Sequence, residues 1–462
     1  MVNTLASVLI PVFSEGADIS LNFLAKLIQL LIENLPTVGL GIIVYTLILK
    51  TVVLPLDIYS KVVTRKQSLK MEQMRPQLEK LQKQYANDKE MYSRKMMELY
   101  KQNNYSVFSA CLPAIVMMLL FIFVFQAFNS YSQYANLHNY NMMIESYNAS
   151  VSAYTVQLDR EEGYLVPVGA KQEEIDVGGV TYVTFSSEEQ SRFIYAQVNA
   201  VNVEEGKIKE GAAIEYYIDT DKMLLDSDVK SEVEEIFAGR EEDEEVETME
   251  DACLKWVKTQ GRNAAGEKFS AVKFLWIKNI WYADTTVAHP VRSYSDFVSS
   301  ISSKVEIDGK KYKITEYASS PYKTETAYNE ITYNLSSYKE QSNGYYILIV
   351  LSIGSMFLSQ FVMSKMQKAQ TELQSVDGSA KGQMKMMMIM MPIIYGIFSF
   401  GYSSAFSVYM ITSNFYSILT SVATTLIVDA VFRKKAQKAE IERYEKRYRA
   451  SKGLVKDQKK KK

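Results

Sequence analysis

The sequence has few of the residues on which most enzyme and metal sites depend. Only two cysteines and two histidines occur among its 462 residues. Cys111 lies in an apolar run and Cys253 in a polar region, which argues against a disulfide between them. Neither His138 nor His289 has a cysteine close by, so no zinc spacing exists. Because nucleophile–base pairs and phosphate loops are also lacking, we expect a protein that is not an enzyme and that needs no metal or cofactor.

The N-terminus lacks the marks of a cleaved export signal. The stretch "MVNTLASVLIPVF" has no basic residues before its apolar part and no clear small-residue cleavage site. It also has no cysteine that could carry a lipid. We therefore expect this segment to be retained.

Long apolar runs are present, although the bulk composition hides them. Apolar residues make up 47% of the chain and the formal net charge is -1. Basic and apolar segments alternate near both ends, whereas the long stretch between them is acidic and rich in tyrosine. A helix needs about 20 apolar residues to cross about 30 Å of hydrocarbon. Five segments qualify as predicted spans, namely residues 38–58, 107–129, 345–366, 386–402 and 405–428.

The distribution of basic residues predicts the orientation of these spans. Residues 59–106, the loop before the fourth span and the tail from Arg433 all carry an excess of lysine and arginine. Cytoplasmic loops are enriched in these residues. We therefore expect a membrane protein with its N-terminus outside, its C-terminus in the cytoplasm and its acidic stretch outside.

The predicted fold class is a mostly α, polytopic membrane protein with a five-span helical core, a cytoplasmic helical hairpin and an inserted extracytoplasmic α+β domain. The predicted order is an N-terminal extracytoplasmic segment with an interfacial helix (1–36), the first span (37–58), the hairpin (59–106), the second span (107–129), the extracytoplasmic domain (130–343), the third span (344–366), a cytoplasmic loop (367–385), the fourth and fifth spans (386–428) and a basic tail (429–462).

Two segments beside the first span have helical periodicity. In "SLNFLAKLIQLLIENLP" the polar residues form one narrow stripe, which fits a helix in the outer interface or an ordinary buried amphipathic helix. After the span, apolar stripes on either side of "ANDK" predict two antiparallel helices, with Asp88 as the N-cap of the second. A solvated hairpin and an interaction site are both compatible with that pattern.

The stretch outside the predicted spans mixes β-type and acidic segments. "GGVTYVTF", "AAIEYYID" and "KVEIDGKKYKITEYAS" favour strands, and Asp308–Gly309 is a strong hairpin signal. "GREEDEEVETMED" predicts an exposed loop or a helix start. We therefore expect this stretch to form a small α+β domain, whose role could be substrate contact, partner docking or shielding.

One lysine stands inside the first span. Lys50 lies in "YTLILKTVVLPLD", and the only acidic residue within a predicted span is Asp57, seven residues along the same helix. A charge at mid-span costs about 3 kcal/mol on insertion scales. Lys50 must therefore snorkel or contact water in a polar groove. Polar residues that could line such a groove occur on the first, third and fifth spans: Thr46, Ser352, Ser355, Ser359, Gln360, Ser413 and Asn414.

Five motifs, in order, resemble those of the YidC-type membrane protein insertases of the Oxa superfamily. They are "LILKTVVLPLD", "MRPQLEKLQKQYANDKEMYSRKMMELYKQNN", "SACLPAIVMM", "FLWIKNIWYAD" and "SSAFSVYMITSN". Together they cover about half of the chain. The sequence departs from the family pattern at Lys50, where arginine is usual, and at three further positions: Met117, Leu119 and Met410.

The resemblance implies an insertase of the bacterial cell membrane, whose groove opens to the cytoplasm and to lipid but is closed outside. Its basic residue attracts the hydrophilic part of a nascent membrane protein, which places Lys50 in the groove together with Tyr409 of the last motif. The apolar helix of the substrate would then slide along the second and fourth spans. Methionine suits varied apolar partners, and the expected slide residues are Met117, Met118, Met387, Met391 and Phe398.

The resemblance also implies partners. The expected partners are nascent membrane proteins and membrane lipid, and the resemblance also allows cooperation with the Sec translocon. The basic tail could contact ribosomal RNA or anionic lipid, or it could only fix the topology. A transporter that uses Lys50 as a substrate or proton site is the alternative function, although inverted repeats are not evident. A receptor would need an output domain, which the cytoplasmic segments do not supply.

Overall fold

The chain is mostly helical. The computed structural model describes residues 19, 21–105, 107–240, 246–270, 272–301, 304–307, 310–313, 322, 324–366 and 379–451. The helices are α1 (Phe23–Glu33), α2 (Val38–Gln84), α3 (Lys89–Gln102), α4 (Val107–Ser152), α5 (Thr220–Met223), α6 (Ser227–Ala238), α7 (Met249–Lys268), α8 (Tyr294–Ser300), α9 (Glu325–Ile331), α10 (Ser336–Glu340), α11 (Ile347–Met366), α12 (Ser379–Ser399) and α13 (Ser404–Ser451).

The strands form antiparallel sheets. Two sheets have four strands each, in the orders β1-β2-β7-β6 and β3-β4-β5-β8, and β9 pairs with β10. The strands are β1 (Leu158–Glu161), β2 (Tyr164–Pro167), β3 (Ala170–Val177), β4 (Val180–Ser187), β5 (Ile194–Asn199), β6 (Val203–Glu204), β7 (Lys207–Lys209), β8 (Ile214–Ile218), β9 (Lys304–Ile307) and β10 (Lys310–Lys313).

The chain divides into two compact units. The mixed unit, which contains the sheets, comprises Met1–Asn22, Ser130–Lys273 and Thr286–Asn343. The helical unit comprises Phe23–Asn129, Phe274–Thr285 and Gly344–Lys462. The mostly α class and a sheet-containing domain, both predicted from the sequence, are therefore confirmed.

Three helices of the described chain are long and apolar enough to cross a membrane. They are Val38–Gln84, Ile347–Met366 and Ser404–Tyr448, and they contain the first, third and fifth predicted spans. The second and fourth predicted spans fall in α4 and α12, where the side chains of several residues lie outside the described set. The count of five spans stays a prediction.

One aromatic core joins the two inserted segments of the mixed unit. The rings of Phe297 and Tyr328 stack with centroids 4.7 Å apart, and Tyr140 meets Phe297 edge-on at 4.8 Å. The buried hydroxyl of Tyr322 donates to the Asn141 side chain at 2.9 Å. Such aromatic pairs contribute about 0.5–1.5 kcal/mol beyond their buried area. Because these residues come from both segments, the two segments fold together.

The predicted β stretches are strands. "GGVTYVTF" supplies most of β4 and "AAIEYYID" contains β8. Gly178 and Gly179, with φ of +61° and +82°, connect β3 to β4, as a two-residue hairpin turn requires. Ile307 of β9 pairs with Lys310 of β10, whereas the predicted turn at Asp308–Gly309 lies outside the described residues.

Helix α2 of the helical unit joins the first predicted span to the first predicted helix of the hairpin. The predicted span ends at Ile58, and α2 continues unbroken from there to Gln84, with Pro55 and Pro76 inside it. Its second half packs against α3 through a small apolar core formed by Met71, Met74, Leu78 and Leu99. Asp88 is the N-cap of α3, as predicted, and accepts from the Met91 amide at 2.9 Å.

The segment 274–285 supplies hydrogen bonds to the first turns of two span helices in the helical unit. The buried Asp284 carboxylate accepts from the Tyr345 amide at 2.7 Å and from the Leu348 amide at 2.5 Å, at the start of α11. The Ser404 amide donates to the Tyr282 carbonyl at 2.8 Å, at the start of α13. First-turn amides have no partner within their own helix. This motif segment therefore satisfies groups that would be costly to leave bare in lipid.

Candidate functional site

Lys50 faces α13. It lies on the fourth turn of α2 and is half-buried, and its ammonium donates to the Ser417 hydroxyl at 3.2 Å. In the described part of the chain it makes no ion pair. A neutral hydroxyl compensates a buried ammonium less than a carboxylate would. Lys50 is therefore a cation with remaining capacity to bind an anion.

Further polar contacts continue along the line where α2 meets α13. The Thr51 and Tyr416 hydroxyls lie 3.0 Å apart. Lys61 donates to the Ser421 carbonyl at 3.3 Å and to the Thr424 hydroxyl. Arg65 forms an ion pair with Asp429 at 3.4 Å. We call this set the α2–α13 seam, which consists of Lys50, Thr51, Lys61, Arg65, Tyr416, Ser417, Ser421, Thr424 and Asp429.

A second polar contact joins α11 to α13. The Asn414 amide donates to the Ser355 hydroxyl at 3.0 Å. That hydroxyl in turn donates to the Ser352 carbonyl at 2.8 Å, and Ser352, Ser355 and Ser359 are all buried. Two of the predicted groove residues are thus in direct contact. Small hydroxyl side chains also allow the two helices to approach closely.

Among the described residues, no hydrogen bond joins the other predicted groove residues to Lys50. Thr46 is fully buried, and its hydroxyl donates to the Ile42 carbonyl of its own helix at 2.7 Å. Tyr409 and Ser413 are buried, and the Tyr409 ring packs 5.3 Å from that of Phe128. Gln360 is half-buried. The hydrogen bond of Lys50 goes to Ser417, one turn beyond Ser413 on the same face of α13.

The predicted slide residues are only partly described. Met118 on α4 and Phe398 on α12 have exposed side chains, with 54% and 55% of their surface accessible. Such exposure fits residues that meet lipid or an apolar helix. The side chains of Met117, Met387 and Met391 lie outside the described set.

Sequence reasoning missed the partners of Lys50 and Lys61 on the fifth span. Ser413, Ser417, Ser421 and Thr424 recur at intervals of four, four and three residues, which places them on one face of a helix. That hydroxyl stripe was visible in the sequence. Which helix it meets was not, because the choice depends on packing between distant segments.

The described residues contain no group of three or more His, Cys, Asp or Glu side chains that could hold a metal ion. Cations and hydroxyls dominate the α2–α13 seam instead. Such a surface can bind an anionic segment by charge and hydrogen bonding.

Comparison with known proteins gives a consistent result. The profile of the family described as 60Kd inner membrane protein matches residues 30–168 and 264–430. Three relatives are named membrane protein insertase YidC. That of Clostridium perfringens is 35% identical over 100 residues, 21% of this chain and 40% of the relative. That of Clostridium tetani is 34% identical over 92 residues, 20% of this chain and 40% of the relative. That of Fusobacterium nucleatum is 32% identical over 108 residues, 23% of this chain and 51% of the relative. The matched part thus spans about half or less of each relative.

Proposed function

This chain belongs to the 60Kd inner membrane protein family, and we propose that it is an insertase that moves nascent membrane proteins into the lipid bilayer. The observation that carries the proposal is Lys50. It lies inside a helix apolar enough to span a membrane and bonds only to a serine hydroxyl within the described residues. A cation inside a membrane span costs about 3 kcal/mol on insertion scales. An acidic segment of a substrate protein that binds Lys50 would offset this cost.

The proposed groove is the polar surface shared by α2, α11 and α13. Lys50 and Ser417 supply its charged side, and Ser355 with Asn414 supplies its neutral side. An acidic extramembrane segment of a substrate would be drawn to Lys50, which shortens the apolar barrier that the segment still has to cross. The half-buried Gln360 would contact water in this groove, and the remaining predicted groove residues, which are buried, would form its wall: Thr46, Ser352, Ser359, Tyr409 and Ser413.

The apolar helix of the substrate would leave along α4 and α12. The exposed side chains of Met118 and Phe398 support this route, and Met117, Met387 and Met391 complete the proposed slide. Flexible thioethers adapt to varied apolar partners. Each step changes only the position of the substrate, so no covalent chemistry is needed.

The proposed topology has five spans, with the N-terminus outside, the C-terminus in the cytoplasm and the mixed unit outside. The excess of basic residues in 59–106 and after Arg433 supports it. A cysteine at the exposed Glu188 should react with a membrane-impermeant thiol reagent added outside, whereas one at the exposed Gln84 should not. The reverse labelling pattern would contradict the proposed groove direction.

Nascent membrane proteins and lipid are the proposed partners. The α13 helix continues to Ser451, and its basic part from Arg433 to Tyr448 is exposed, which supports ribosome contact through the tail. The Sec translocon is a further proposed partner. We propose no enzymatic step and no cofactor.

Purified protein in proteoliposomes tests the function directly. A short, single-span substrate should become resistant to external protease in its translocated segment when the protein is present and not in empty liposomes. Equal protection in both kinds of liposome would overturn the proposal. Transport of small ions without substrate protection would instead favour a transporter.

A further inference from the structure

Lys61 occupies a second position on the α2–α13 seam. It follows Lys50 by 11 residues, which is about three helical turns, so both lysines lie on one face of α2, about 16 Å apart along the helix axis. Lys50 donates to Ser417 and Lys61 to Ser421 and Thr424. The seam thus holds two ammonium groups against the same face of α13.

Lys61 bonds to α13, although its own helix carries an acidic residue at a suitable spacing for an ion pair. Asp57 precedes it by four residues, the spacing at which acidic and basic side chains pair on a helix. The described chain nevertheless shows no ion pair between them, and Lys61 bonds instead to neutral oxygens of α13. Helix α2 therefore presents the Lys61 charge to the seam.

The next cation along the seam shows the contrast. Arg65 lies one turn beyond Lys61 and forms an ion pair with Asp429 at 3.4 Å. Lys50 and Lys61 have no such partner among the described residues. Of these three seam cations, the two lysines remain available to an external carboxylate.

We propose that Lys61 is a second anion-binding position, which receives the acidic translocated segment of a substrate and passes it towards Lys50. This inference rests on the proposed insertase function. The occupant is an extended, acidic peptide segment. An extended chain rises about 3.3 Å per residue, so two carboxylates about five residues apart can contact both lysines together.

The spacing makes the inference testable in the proteoliposome assay. Three versions of one single-span substrate are compared: a neutral translocated segment, one with two adjacent acidic residues, and one with two acidic residues five positions apart. Lys61→Gln should lower insertion of the five-residue-spaced substrate roughly fivefold, as expected for the loss of one partly hydrated ion pair. The neutral substrate should change little, and the adjacent pair should show an intermediate loss.

Two variants control for charge and folding. Lys66→Gln removes the same charge from an exposed position on the same helix and should leave all three substrates unaffected. Lys61→Arg retains the charge and should restore the preference for five-residue spacing. Thermal unfolding of each purified variant shows whether the fold is preserved.

Each result distinguishes this inference from the function on which it rests. If Lys61→Gln reduces all three substrates equally, Lys61 is a packing residue and the inference is overturned. If the variant leaves the spacing preference unchanged, the inference is also overturned while the insertase function stands. If the unaltered chain inserts no substrate, the proposed function fails and the inference fails with it.

Discussion

One cation in each unit shows a contrast: Arg262 of the mixed unit is paired with a carboxylate, whereas Lys50 of the helical unit contacts a neutral hydroxyl. In the mixed unit, Arg262 donates from Nε and Nη2 to the two Glu330 carboxylate oxygens, both at 2.8 Å. The Tyr147 hydroxyl adds a bond to Glu330 at 3.2 Å, and the Tyr333 ring lies 3.9 Å from the guanidinium carbon. In the helical unit, Lys50 has a serine hydroxyl instead.

We therefore distinguish the Arg262 charge, which stabilises the fold, from the Lys50 charge, which we propose is available to a ligand. Burial lowers the pKa of Arg262, but the hydrogen bond and charge of Glu330 outweigh it and raise that pKa overall. Burial, followed by the charge of Glu330, raises the pKa of Tyr147 and keeps its hydroxyl protonated as a donor. Arg262 and Glu330 come from different inserted segments, so their pair holds the mixed unit together. Lys50 and Lys61 have no carboxylate partner among the described residues, and we propose that they can exchange one ligand for another.

The largest effect is expected when the structural pair is broken. Glu330→Gln leaves the Arg262 charge buried without its anion, which should lower the free energy of unfolding of the mixed unit by about 3–5 kcal/mol. Pulse proteolysis in increasing urea, with fragments from residues 130–343 identified, measures this. Glu234→Gln is the matched control, because Glu234 pairs with Lys230 at 3.8 Å on an exposed helix face. It should cost less than about 1 kcal/mol. Equal losses would mean that the Arg262 pair is not structural.

A smaller loss is expected at the cap of α11. Asp284→Ala removes the acceptor of the Tyr345 amide, just before α11, and of the Leu348 amide in its first turn, which should destabilise the helical unit by about 1–3 kcal/mol. Asp284→Asn keeps one acceptor oxygen in place and should cost less. Thermal unfolding in detergent compares the two variants, with the exposed Asp159→Asn as the control. An unchanged unfolding temperature for Asp284→Ala would show that other groups satisfy the start of α11.

Removing the available charge should affect function more than stability. Lys50→Leu should leave the helical unit as stable or more stable, because a buried charge is lost. Insertion of substrates with acidic translocated segments should fall roughly tenfold, the effect of about 1.4 kcal/mol. Lys50→Arg should retain activity, and Lys50→Glu should be worse than Lys50→Leu because like charges repel.

Neutral substrates provide the control for Lys50. If Lys50→Leu reduces acidic and neutral versions of one substrate equally, Lys50 serves as a membrane anchor. The contrast between the two units would then concern stability alone. A selective loss for the acidic version would support the groove.

Local signals in the sequence were sufficient for part of this picture. Apolar runs predict the helices that contain three of the spans, alternating residues predict β4 and β8, and Asp88 is recognisable as an N-cap. The position of Lys50 in the middle of the first span can be recognised from the sequence alone. Five spans, their orientation and the slide stay predictions.

The remaining contacts depend on packing between distant residues. Asp284 caps a helix that begins more than 60 positions later in the sequence. Arg262 pairs with Glu330, although a segment that belongs to the helical unit lies between them in the sequence. Ser417 was missed because the motif drew attention to Ser413 and Asn414. Periodicity places all three residues on α13 but does not show which neighbouring helix each one faces.

The smallest effect on insertion should come from removing the neutral partner of Lys50. Ser417→Ala removes the one hydrogen bond that the Lys50 ammonium makes among the described residues. This should lower the free energy of unfolding by about 1.5 kcal/mol, the lower end of the range for a hydrogen bond to a charged group. Insertion of acidic substrates should be retained or rise slightly, because the substrate carboxylate no longer competes with the serine. The corresponding change in the mixed unit, Glu330→Gln, removes the anionic partner of Arg262 and should cause a much larger loss of stability. Measuring both variants by unfolding and by insertion therefore tests the contrast in one experiment. If Ser417→Ala lowered insertion of acidic substrates as much as is expected for Lys50→Leu, the serine would be part of the anion site, and the Lys50 ammonium alone would not suffice to hold the substrate.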